Sequence, residues 1–130
     1  MDQQAVFNTV AEHLLAQNEQ SLNKAGECSY RGHYGRKCAV GCLITDDAYD
    51  RRMEGTSVTN QILHEICNTQ QSQLLKEALY NSGVIPEGYL DIDLLHRLQE
   101  VHDDCPPHQW EDLLTVLASE FELEEFNDDT

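Results

Sequence analysis

Five stretches of this chain carry apolar residues at helical spacing, each bounded by residues that start or stop helices. That pattern narrows the fold further than any other feature. In residues 3–17 the stripe is Val6, Phe7, Val10, Leu14 and Leu15, with Glu12, His13 and Gln17 off it. Ser57 or Thr56 is placed to cap a helix over 58–68, with Val58, Ile62, Leu63, Ile66 and Cys67 on its apolar side. Thr69 is placed to cap a helix over 70–81 that uses Leu74, Leu75, Ala78 and Leu79, and Asn81-Ser82-Gly83 is a C-terminal stop. Pro86 and Gly88 mark a turn, and Asp91 can cap a helix over 92–102 built on Ile92, Leu95, Leu98 and Val101. Pro106-Pro107 ends that element and starts the last, over 107–121, with Trp110, Leu113, Leu114, Leu117 and Phe121 inward.

The stretch between the first two helices reads differently. Residues 18–27 are a polar loop with a turn at Gly26. Residues 28–37, CSYRGHYGRK, predict a short β-hairpin turning near Gly32–Gly35, which must pack on helices because two strands alone are marginal. The apolar run CAVGCLI over 38–44 predicts a short buried helix, and Thr45-Asp46-Asp47 caps a turn through Tyr49. The expectation is a mostly α fold: one compact domain over 1–130, five to six helices, a small hairpin near 28–37, and a frayed acidic end over 122–130. A chain of 130 residues fits one domain of ordinary size.

Charge excludes several classes of function. Eight Lys and Arg stand against 24 Asp and Glu, for a formal charge of −16. Direct nucleic-acid binding and docking on anionic membranes both need a basic footprint that is missing. No apolar run is long enough for a membrane span or a signal-peptide core, so the expected location is the cytoplasm. The charge is also uneven. Residues 24–52 hold six of the basic residues against four acidic ones, whereas residues 98–130 hold 11 acidic residues and no Lys or Arg. Solvated helix faces account for this through solubility alone. The sharper account is a decoy, in which acidic groups along helices imitate a phosphate backbone and occupy a basic groove. Its candidate contacts are Glu111, Asp112, Glu120, Glu122, Glu124 and Glu125.

Chemistry-bearing residues are densest over 28–42. Cys28, His33, Cys38 and Cys42 supply four potential zinc ligands within 15 residues, although their spacings match no paired Cys-x2-Cys knuckle. Alternatively, Cys38 and Cys42 are core residues one helical turn apart and His33 sits on an exposed turn. A third option is a reactive thiol, with Arg31, Arg36 and Lys37 favouring thiolate and His33 acting as base. Five cysteines without a secretion signal argue against a disulfide framework. His102 reads as a histidine capping a helix C-terminus, and Glu111 and Asp112 as acidic residues suited to a first turn. Phosphate-cradling loops, serine-nucleophile elbows and His-Glu-x-x-His zinc motifs are all missing.

The segments Cys28-x-Tyr-Arg-Gly, Gly35-x-Lys-Cys38-Ala-Val-Gly-Cys-Leu-Ile44, Asp46-Asp47-x-Tyr49-Asp50 and Met53-Glu-Gly55 resemble a group of small proteins in tailed phages and bacterial prophages. Leu98-Gln-x-Val-His102-Asp103 and Pro107-x-x-Trp110 resemble the later part of the same group. The resemblance spans most of residues 6–121, implies a phage or prophage setting and carries no activity with it. The resulting expectation is a non-enzymatic acidic protein that binds a host protein with a basic surface and inhibits host defence or nucleic-acid machinery as a nucleic-acid mimic. The competing expectation is a small zinc-binding or thiol-dependent enzyme using 28–42. A homo-oligomer is compatible with either, because a helical stripe serves a core or a dimer face equally well.

Overall fold

The structure is a computed structural model that describes residues 1–56, 69–85 and 93–126. Helix α1 runs Gln3–Gln17. Asp2 caps it by accepting from Ala5 N at 2.8 Å, and Asn18, left-handed at φ 52°, ends it by donating its N–H to Leu14 O. The stripe expected from the sequence is buried: Val6, Phe7, Val10, Ala11 and Leu14 face inward. Helix α2 runs Gln70–Asn81, with the Thr69 hydroxyl accepting from Ser72 N at 3.1 Å. Gly83 at φ +74° then turns the chain away. Helix α3 runs Asp93–Asp104, and α4 runs Trp110–Glu120.

Helices α3 and α4 pack on each other and both pack on α1, while α2 packs against the turn Arg51–Met53. One apolar cluster joins them, centred on Trp110, Phe7, Leu14, Leu98, Leu117 and Met53, all fully buried. Among the described residues the chain is therefore mostly helical, with four α-helices and no strand. The helix expected over 58–68, the turn at Pro86 and Gly88, the Asp91 cap with Ile92, and the last residues of the acidic end lie outside the described residues.

Three expectations need correction. Residues 28–37 do not form a hairpin: a single bridge joins Arg31 and Lys37 across a 3-10 turn, His33–Gly35. The backbone groups that a ladder would pair are taken by side chains. Glu54 accepts from Tyr30 N and Arg31 N, Gln17 both donates to Lys37 O and accepts from Lys37 N, and His13 bonds Lys37 O. Residues 38–44 hold only a 3-10 turn, Gly41–Leu43, in place of a helix. Gly41 N donates to the Cys38 sulfur within the run, Val40 N donates to Gln99 of α3, and Arg31 binds Ile44 O, so two outside neighbours hold it. The final helix begins with a 3-10 turn, Pro107–Gln109, and becomes α-helical at Trp110.

Candidate functional site

The 28–56 segment is organised by one carboxylate and two close approaches. Glu54 accepts from Tyr30 N at 2.8 Å, from Arg31 N at 3.1 Å and from the Tyr49 hydroxyl at 2.7 Å. Arg31 reaches the other way, to Asp46 at 2.5 Å and Ile44 O at 2.7 Å, with its guanidinium 4.9 Å from the centre of the Tyr49 ring. A Cβ on Gly41 would lie 2.2 Å from Tyr30 O, and one on Gly32 would lie 2.7 Å from Leu22 N, so no larger residue fits without backbone movement. Tyr30, Arg31, Tyr49 and Glu54 thus form one bonded unit, with Gly41 packed closely against Tyr30.

His102 sits beside this unit in the last turn of α3, as expected, but fully buried. Ser21 N donates to His102 Nε2 at 2.9 Å, and a backbone amide can only donate. The ring proton is then on Nδ1, which donates to Asp103 Oδ1 at 2.6 Å. Gln99 donates to the same oxygen at 2.7 Å. The Trp110 ring stacks on the imidazole at 5.7 Å. His102 therefore fastens the Gln20–Ser21 segment to α3 and has no free nitrogen with which to act as a base.

Cys28, His102 and Asp103 bring one ligand atom each to within 4.8 Å of one another. The trio does not fit zinc. Metal bound at Nδ1 would require the proton on Nε2, pointing at the Ser21 N–H, and metal bound at Nε2 would displace that same donor. Nor are the four expected ligands brought together. Cys28 and Cys38 line one cavity, Cys42 opens on a shallow hollow beside His13 and Lys37, and His33 is exposed on the 3-10 turn. The thiols are equally far from activation. Burial, aided by the Asp103 charge, pushes Cys28 up to about 12. Burial also pushes Cys42 up to about 12 despite Lys37, and raises Cys38. The expected thiolate stabilisation by the basic residues of 31–37 is overridden by desolvation.

A cavity of about 460 Å³ lies between Glu27–Tyr30, Glu54–Thr56 and α3. Its lining includes five carboxylates: Glu27, Glu54, Glu100, Asp103 and Asp104. Among the described lining residues there is no lysine or arginine. Glu54 and Asp103 face inward and are held by the bonds described above. Glu27, Glu100 and Asp104 are exposed at the rim. Such a mouth attracts cations, because low-dielectric walls focus the field of like charges.

The six acidic residues singled out from the sequence are all exposed but divided between the ends of α4. Glu111 and Asp112 occupy its first turn, as expected. Glu120, about 13 Å further along the axis, is paired with Arg97 at 2.7 Å. Glu122 is left-handed at φ 55°, Glu124 is tied through its backbone to Gln4 on α1, and Glu125 is exposed. The cavity carboxylates were missed. Glu100, Asp103 and Asp104 stand at i, i+3 and i+4 on one face of α3, but the helix expected over 92–102 stopped short of the last two. Glu27 and Glu54 join them only through the fold.

No protein-family model, curated protein or solved structure matches this chain.

Proposed function

We propose that the chain is a non-enzymatic acidic protein that binds a host protein through a basic surface on that partner. In this reading it is a phage-encoded inhibitor of host defence or nucleic-acid machinery, working as a nucleic-acid mimic in the host cytoplasm. The observation that supports it most is the convergence of Glu27, Glu100 and Asp104 on the mouth of a cavity whose described lining carries no Lys or Arg. A partner's lysine or arginine enters there, and the exposed carboxylates of Glu111, Asp112, Glu122 and Glu125 extend the contact along α4. Consistent with the reading, no helix of the described residues is long and apolar enough to cross a membrane.

Immobilised chain exposed to bacterial lysate tests the reading. The expected result is retention of a protein that nucleic acid displaces and that is released as salt rises from about 0.15 M to about 0.5 M, where exposed charges are screened over shorter distances. Glu100→Lys with Asp104→Lys, and separately Glu122→Lys with Glu125→Lys, should each weaken capture. Capture that is indifferent to nucleic acid and to both charge reversals would overturn the reading.

A further inference from the structure

Among the described residues, one large aromatic side chain stands almost fully exposed. Tyr34 is 90% exposed and is held at φ 60°, ψ 28°, a region that residues other than Gly, Asn and Asp seldom adopt. The loop beneath it is rigid. His33 N donates to Leu22 O at 3.0 Å, Gly32 N to Arg36 O at 2.9 Å, and Arg36 N to His33 O at 3.1 Å. The Ser21 hydroxyl binds Arg36 O as well. The tip is also cationic. The Arg36 guanidinium lies 5.3 Å from the Tyr34 ring centre and makes no ion pair among the described residues, and His33 is exposed beside it. Tyrosine and arginine dominate the residues that anchor interfaces, and an anchor already fixed in place loses little entropy on binding.

A ring carrying a stacked guanidinium is complementary to an anionic hollow, and this chain presents one in the cavity beside α3. We propose that a second copy of the chain covers the tip, with Tyr34 and Arg36 entering the cavity against Glu27, Glu100 and Asp104 of that copy. The proposal rests on reading the cavity as a receptor for cationic side chains. The tip emerges between Cys28–Tyr30 and Cys38, which line the cavity, so tip and receptor adjoin along the chain. A two-fold arrangement in which each copy inserts its tip into the other closes at two copies. The pairing occupies the same carboxylates that a basic partner would use, so dimer and partner compete.

Sedimentation equilibrium of the full chain in 0.15 M salt tests this. Between about 10 µM and about 500 µM the expected result is a monomer–dimer equilibrium whose dissociation constant rises about tenfold or more in Arg36→Glu, Tyr34→Asn and Asp104→Lys. All three positions lie outside the core, so circular dichroism and melting should remain those of a folded chain. The double variant Arg36→Glu with Asp104→Lys reverses the pair at both contacts and should restore the dimer. A monomer at every concentration, a dimer indifferent to Arg36→Glu, or a double variant no better than its parents would each overturn the proposal. A monomeric chain that still captures a protein displaced by nucleic acid overturns this inference alone. A dimer that captures nothing supports it and removes the partner reading alone.

Discussion

Glu54 is the residue on which the 28–56 segment most depends. Its carboxylate receives two backbone amides and a tyrosine hydroxyl, all partly buried. Glu54→Ala leaves those three donors without an acceptor. The expected loss is about 2–4 kcal/mol in urea unfolding, the scale set by buried donors deprived of a charged partner. Tyr34 makes the opposite case, since its backbone is held where asparagine is tolerated better. Tyr34→Asn should leave the fold as stable or raise stability by about 0.5–1 kcal/mol on the same measurement. Neither residue stood out in the sequence by its chemistry. The partners of Glu54 lie 23 and 24 residues away, and Ser21 lies 81 residues from His102. Long-range pairing of single polar residues leaves no periodic trace, which is why His102 read only as a helix cap and the cysteines as the more conspicuous chemistry.

At the scale of elements, α1, α2 and α4 were legible because each combines an apolar stripe with a terminal signal. Asp2, Thr69 and the Pro106-Pro107 pair stand where the chain turns helical or close to it. The 28–44 region was not legible. Glycines and tyrosines favoured a hairpin locally, but α1 and Glu54 offer the backbone better partners than a second strand does. Its junction with α1 has a pH consequence. His13 is half-buried and binds Lys37 O at 2.8 Å. Burial lowers its pKa below the ordinary histidine value, so the neutral form is favoured in the fold. A depressed folded value means that the contribution is intact above the unfolded pKa of about 6.5 and is lost as pH falls through the lower, folded one. Urea midpoints measured between pH 7.5 and pH 5 should fall more steeply for the native chain than for His13→Gln.

At the scale of the whole molecule, 24 acidic residues on a 14.8 kDa chain mean that the folded state works against its own field. The basic residues relieve it locally: Arg31 pairs with Asp46, Arg52 with Asp50, and Arg97 with both Glu100 and Glu120. Glu27 and Asp104 at the cavity rim and Glu122 and Glu125 beyond α4 make no ion pair among the described residues and keep their charge. Sodium chloride between about 0.02 M and about 0.2 M should therefore raise the melting temperature, because the Debye length contracts from over 20 Å to under 10 Å and screens repulsion more than it weakens short ion pairs. A melting temperature that falls with salt would mean that the ion pairs dominate. The sequence disclosed the total of the charge and its bias toward the C-terminal third. Its focus at the cavity depends on Glu27 and Glu54 arriving from the other side of the fold.

The single tryptophan gives the molecule a built-in optical reporter. Trp110 is fully buried, donates its indole N–H to Cys105 O at 3.0 Å and lies flat against His102, the residue that fastens the Ser21 loop to α3. Its emission reads out that one junction: a shift to the red follows when water reaches the indole, before or together with loss of the helices. Comparing fluorescence with circular dichroism on one sample would show whether the loop carrying Tyr34 detaches ahead of the bundle or melts with it.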